Sequence, residues 1–188
     1  MNFFTAPVTT EQKKYGCYLA RGVDLGKRGD GSDGTPKNQM LGKIGETCFA
    51  DAMRIPRPKN FAFVDSHDNG VDFEIQGVKI DVKTTLRNVR YRFKYEFEIP
   101  VSQVESEVLN PDIYLFCNIA NLSKKEQYFE VIGWLQASNA RAGYKGIYRL
   151  NAGQTNRITA RGDLLKVPTS ALNLFVNPVV FRADLIGL

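Results

Sequence analysis

Apolar and polar positions alternate most regularly between residues 71 and 99. Residues 71–85 read V-D-F-E-I-Q-G-V-K-I-D-V-K-T-T. Successive side chains of a strand point to opposite faces, so this stretch predicts two short strands joined at Gln76-Gly77. Phe73 and Ile75 share one face of the first strand, and Asp72 and Glu74 share the other. On the second strand Ile80 and Val82 point one way, Asp81 and Lys83 the other. The hairpin therefore buries one face and gathers acids and a lysine on the opposite one. Residues 90–99 alternate again, with Tyr91, Phe93, Tyr95, Phe97 and Ile99 set against Arg90, Arg92, Lys94, Glu96 and Glu98. That pattern predicts one long strand ended by Pro100, its aromatic face most simply core.

Elsewhere the period lengthens. Residues 38–54 carry Met40, Leu41, Ile44, Cys48 and Met53 at roughly helical spacing, with Asn38 as cap and Pro56 and Pro58 ending the helix. A helix is expected over 11–21, followed by a mobile glycine-rich loop over 22–37 that is either a disordered connector or, as Lys27 and Arg28 favour, a segment that orders over a substrate. Residues 61–65 read as a short strand before a turn at Asp68-Asn69-Gly70. Residues 101–109 suit a helix capped by Ser102. The near-continuous apolar run at 112–120 reads as a central strand buried on both sides. Residues 127–135 form a further strand that can pair with it, and 136–141 a short helix. Past Gly143 the signal weakens to a strand over 144–150, a loop over 151–159 and short apolar segments near Leu164 and Phe175. Helix, strands, helix, strand, strand predicts a single mixed α/β domain with its core at about 38–135. Residues 1–37 then form an N-terminal helix and loop, and 143–188 a C-terminal extension.

Composition narrows the function classes. The 188 residues, 43% hydrophobic and 24% charged, suit one globular domain. No apolar run reaches membrane-spanning length and the N-terminus lacks a signal-peptide pattern, so the expectation is an intracellular, cytoplasmic protein without a membrane partner. Cys17, Cys48 and Cys117 match neither a zinc site nor a disulfide framework, and read as reduced thiols. His67 is the single histidine, which excludes a histidine-rich metal site, and it falls in a turn. The formal net charge of +5 permits a polyanionic partner. Between Lys79 and Lys94 stand six cations (Lys79, Lys83, Arg87, Arg90, Arg92, Lys94) and one acid, Asp81. A basic strand of this kind is either a phosphate track or a solvated face.

Glu46, Asp72, Asp81 and Lys83 together carry a specific chemistry. Hydrolysing a phosphodiester requires charge stabilisation on the phosphoryl oxygens, an activated water and help for the departing alkoxide. Carboxylates holding Mg²⁺ or Mn²⁺ supply all three. A lysine two residues beyond an acid, on the same strand face, can orient the water or neutralise the transition state. Glu46 has an ordinary alternative, an exposed helix pair with Lys43.

With Asp72, then Asp81-Val82-Lys83 on the next strand and Glu46 on the preceding helix, the chain resembles the PD-(D/E)xK nuclease superfamily, the restriction-endonuclease-like fold. Val71 stands where that family often has proline, and the likeness in element order runs over about 38–135. The resemblance implies an α/β restriction-endonuclease-like fold, a central mixed β-sheet flanked by helices. It implies a Mg (or Mn)-dependent nuclease acting on DNA, an endonuclease, with Asp72 and Asp81 as metal ligands and the Val82 carbonyl completing the shell. Lys83 is then the catalytic lysine and Glu46 a further ligand or water-orienting acid, with Glu74 as the rival ligand. Arg87, Arg90, Arg92, Lys94, Lys43, Lys27 and Arg28 would contact DNA phosphates. Thr84 and Thr85 either touch phosphate or simply favour strand, and Tyr91 and Phe93 either stack on bases or join the core. One such site cuts one strand, so duplex cleavage implies a homodimer. The alternative is a nucleic-acid-binding module that keeps the fold without catalysis.

Overall fold

The apolar run at 112–120 forms the centre of the main sheet in a computed structural model of the protein. The structure describes residues 3–22, 36–59, 70–105, 110–123, 126–144, 159–161, 164–186 and 188. Strand β5, Ile113–Asn121, is buried at every position except its last. Strand β3, Val78–Arg87, runs parallel to it, and strand β6, Gln127–Gln136, lies antiparallel on the other side. Strand β2, Phe73–Ile75, folds onto β3, and strand β1, Phe4–Pro7, pairs with β6, giving the order β1-β6-β5-β3-β2. A two-residue strand β9, Asn173–Leu174, also pairs with β6.

Alternation along β5 divides the core between the two faces of this sheet. Ile113, Leu115, Cys117 and Ile119 join one apolar cluster with Phe49 and Met53 of helix α2, Pro36–Met53, and with Phe181 and Leu185 of helix α5, Pro178–Ile186. Helix α1, Thr10–Gly22, packs against α2. Tyr114 and Phe116 point the other way. They meet Phe97 and Ile99 of strand β4, Glu96–Pro100, and Leu165 and Val167 of strand β8, Leu164–Pro168. These two strands and β7, Thr159–Arg161, form a small second sheet in the order β4-β8-β7. Helices α3, Val101–Glu105, and α4, Ala137–Tyr144, close this side with Val104 and Ala140. Each fully buried aliphatic or aromatic side chain contributes about 1.5–3 kcal/mol. The fold is thus mixed α/β, with a central mixed sheet flanked by helices.

The predicted hairpin is present. Gln76 and Gly77 both have positive φ, 55° and 80°, the two-residue turn whose twist matches the flanking strands. Helix α2 starts at Pro36, two residues before the predicted Asn38 cap, because proline suits the first helical turn. Its end is a left-handed cap at Arg54 (φ 54°), with the Ile55 amide bonded to the Ala50 carbonyl at 3.0 Å. Helix α1 begins with a reciprocal cap: the Thr9 amide donates to Gln12 Oε1 and the Gln12 amide to Thr9 Oγ1, at 2.8 and 3.1 Å.

Three expectations are corrected. Residues 90–99 are not one strand: only Glu96–Pro100 is, and it belongs to the second sheet. Tyr91 folds back to stack on Phe97 with ring centroids 5.1 Å apart, and Phe93, expected inside, is 49% exposed. The helix after Pro100 begins at Val101, so Ser102 lies inside it rather than capping it. β1 and α5 carry no pattern recognised in the sequence, yet β1 extends the main sheet and α5 supplies core. The strand expected at 61–65, His67, residues 145–150 of the strand expected at 144–150 and nearly all of the loops at 22–37 and 151–159 lie outside the described residues, while Tyr144 ends α4 instead of opening a strand.

Candidate active site

The edge of β3 is where the predicted residues meet. β2 pairs with β3 only as far as Phe73 opposite Ile80. One residue earlier, the Asp72 amide still donates to the Ile80 carbonyl at 2.9 Å. Its side chain then continues where the strand leaves off, with Asp72 Oδ2 accepting the Val82 amide at 2.8 Å. That bond fixes Asp72 beside the Asp81-Val82-Lys83 segment.

Helix α2 approaches the same strand unusually closely. A Cβ built on Gly45 would lie 1.9 Å from Thr84 Oγ1, so only glycine permits this approach. Thr84 is therefore an interior contact for the helix, and its hydroxyl is buried without a hydrogen-bond partner. The next helical residue is Glu46, which is only 5% exposed. Lys43 Nζ lies 2.8 Å from Glu46 Oε2 and 3.9 Å from Asp72 Oδ1, so one ammonium joins helix and hairpin. The ordinary pairing of Glu46 with Lys43 is thus present, inside a buried site rather than on the surface.

Asp81, 7% exposed, and Lys83 project to the other face of β3. Lys83 Nζ lies 2.6 Å from Asp81 Oδ2 and 5.7 Å from the centre of the Tyr114 ring. Tyr114 stands opposite Asp81 in the β3–β5 register. Burial, and secondarily the Asp81 charge, push its phenol well above the ordinary value, so it stays neutral and forms a wall behind the lysine. Glu74, the rival ligand, is exposed. Asp72 also lines a cleft of about 540 Å³ with Ile55, Pro56, Lys59, Glu74 and Arg182 among its walls.

Among the described residues, no group of three or more His, Cys, Asp and Glu side chains is gathered to hold a metal ion. The contacts instead form two lysine–carboxylate clusters, Lys43 with Glu46 and Asp72, and Lys83 with Asp81. The donor chemistry nonetheless suits an oxygen-preferring divalent ion: Glu46 and Asp72 already face one shared positive charge.

The predicted phosphate contacts separate into groups. Arg87 donates to the Glu96 carbonyl at 2.9 Å and lies over the Tyr95 ring at 4.5 Å. Arg90 pairs with Glu130 at 3.2 Å and lies over Tyr128 at 3.7 Å. Both hold the 88–95 segment in place. Arg92 and Lys94 are exposed. Lys43 faces the acids, and Lys27 and Arg28 lie outside the described residues.

Sequence reading missed Tyr114 and a buried polar row across the sheet. Thr85, Asn118 and Glu130 are aligned on β3, β5 and β6. Thr85 Oγ1 donates to Asn118 Oδ1 at 3.2 Å, and Asn118 Nδ2 to Glu130 Oε2 at 2.6 Å. Glu130 Oε2 also accepts the Tyr91 amide at 3.0 Å. The signal was available: Asn118 and Glu130 interrupt apolar runs, and a polar group buried in a strand needs partners. No family model matches the chain, and neither does any curated protein or solved structure.

Proposed function

We propose that the chain is a Mg²⁺- or Mn²⁺-dependent nuclease of the PD-(D/E)xK type that hydrolyses phosphodiester bonds in DNA as an endonuclease. The single observation that carries this reading is the Asp72 Oδ2 bond to the Val82 amide at 2.8 Å, which joins the isolated acid to the Asp-x-Lys strand. On this reading Glu46, Asp72, Asp81 and the Val82 carbonyl would hold the ion; Glu46 and Asp72 stand around one charge, whereas Asp81 is paired with Lys83 on the other face of β3. When bound, the ion supplies Lewis-acid stabilisation of the phosphoryl oxygens and a more acidic water.

The chain's own groups divide the remaining work. Asp81 holds the Lys83 ammonium at 2.6 Å, so Lys83 enters the reaction oriented. Lys83 then donates hydrogen bonds to the attacking water or a phosphoryl oxygen, where charge grows in the transition state. Exposed Arg92 and Lys94 bind backbone phosphates at a distance from the chemistry. Cutting both strands of a duplex uses two copies of the chain.

The test is incubation of plasmid and single-stranded DNA with Mg²⁺, Mn²⁺ or EDTA, using the native chain, Asp81→Ala and Lys83→Ala. Metal-dependent cleavage that disappears in both variants supports the proposal. DNA binding without cleavage in any metal replaces it with the non-catalytic binding module.

A further inference from the structure

Lys43 stands in an unusual place for a surface-helix lysine. Its ammonium lies between two buried carboxylates, 2.8 Å from Glu46 and 3.9 Å from Asp72, with side-chain exposures of 6% and 11% for the acids. Two carboxylates gathered around one ammonium and shielded from water repel unless a positive charge offsets them. Lys43 provides it from within the chain. The surrounding structure fixes this arrangement. Gly45 seats α2 hard against Thr84, and the Val82 amide pins Asp72. The acids are thereby held in place, while Lys43 has a flexible four-carbon stem and is 22% exposed. The movable part of the cluster is the cation.

We infer that Lys43 is a built-in counter-cation that competes with a divalent metal ion for Glu46 and Asp72, so that metal binding displaces its ammonium. The inference rests on the proposed nuclease reading and deepens it by identifying what sets the site's metal affinity. Charge balance supports the exchange. At this cluster the two carboxylates Glu46 and Asp72 share the single Lys43 ammonium, so the acids outnumber the cation that joins them. A divalent ion arriving beside an unmoved Lys43 would face a like charge within a few ångströms. With Lys43 swung outward, the ion takes over its contacts, and the released ammonium remains at the site's rim.

The test is calorimetric titration of Ca²⁺ into the full chain without DNA, comparing the native chain, Lys43→Met and Asp72→Asn. Lys43→Met is expected to bind Ca²⁺ more tightly, by about 5-fold or more, the lower end of typical coupling between competing ligands. Asp72→Asn is expected to lose binding. Thermal melting guards against a folding defect: Lys43→Met should melt below the native chain in EDTA and gain more from added Ca²⁺. Equal or weaker Ca²⁺ binding by Lys43→Met overturns the inference while leaving the nuclease reading intact. Absence of binding in both proteins also overturns it, and DNA cleavage by the native chain in Mg²⁺, measured alongside, then decides whether the nuclease reading falls too.

Discussion

Replacing Gly45 with alanine tests how the site is built. In an ordinary helix interior this change stabilises by about 0.5–1 kcal/mol, because glycine loses more backbone freedom on folding. Here the new methyl would lie 1.9 Å from Thr84 Oγ1 and 2.8 Å from both Thr84 Cβ and Cγ2, where ordinary contact begins near 3.4 Å. The helix must back away by up to about 1.5 Å, or Thr84 must change rotamer against a packed core. Overpacking of this kind costs about 1–3 kcal/mol. It exceeds the propensity gain, so a net loss of about 1–2 kcal/mol is expected. Thr84→Ala removes Oγ1 and Cγ2 but leaves a Cβ at 2.8 Å, so relief in the double variant should be partial. Urea denaturation of the native chain, Gly45→Ala, Thr84→Ala and the double variant gives the coupling directly. Gly45→Ala should cost less in the Thr84→Ala background. Displacing α2 also moves Lys43 and Glu46 away from Asp72. A misplacement of about 1 Å can lower a rate about 100-fold, so on the proposed nuclease reading DNA cleavage should fall further than stability. A Gly45→Ala chain as stable as the native one would refute this packing.

Two more outcomes follow from the polar clusters. Asp51 accepts two hydrogen bonds from Arg57, each 2.7 Å, and these hold its carboxyl below the ordinary range. A folded-state pKa below the unfolded one adds stability above the unfolded pKa and loses it as pH falls through the folded value. Asp51→Asn should therefore cost about 1–2 kcal/mol at pH 7, discounted for its partial exposure, and progressively less as the pH falls through the lowered folded-state value; urea melts at pH 7 and along an acid series check it. Glu130→Ala leaves the Asn118 amide and the buried Tyr91 amide without their acceptor and should cost about 2–4 kcal/mol, with faster amide exchange in the 88–95 segment than in β5.

The parts of the fold visible in the sequence are those set by short-range pattern. The 71–85 hairpin was legible because alternation and a Gln-Gly turn agree, and β5 because a fully apolar run has few other destinations. The 90–99 segment shows where alternation fails. Six residues of strand would separate Tyr91 from Phe97 by about 20 Å, yet their rings stack at 5.1 Å. The chain turns at Phe93-Lys94 because Arg87, Glu130 and Thr169 fix Tyr91 and its neighbours from elsewhere in the sequence. No local pattern reports such partners. The same holds for the site. Asp81 and Lys83 share a strand face by simple period, but the contact of Lys43 with Asp72 depends on α2 meeting the hairpin. The Gly45–Thr84 approach that brings them together is invisible until both elements are placed. β1 and α5 were missed because four residues and nine residues of mixed character carry little periodicity.

The most direct measurement of the proposed chemistry is single-turnover cleavage of DNA by Lys83→Met in Mg²⁺, with DNA affinity measured on the same preparation. A hydrolytic role for Lys83 predicts affinity within a few-fold of the native chain and a rate reduced by about 10²–10⁴-fold. A cleavage rate equal to that of the native chain, at equal affinity, would contradict it.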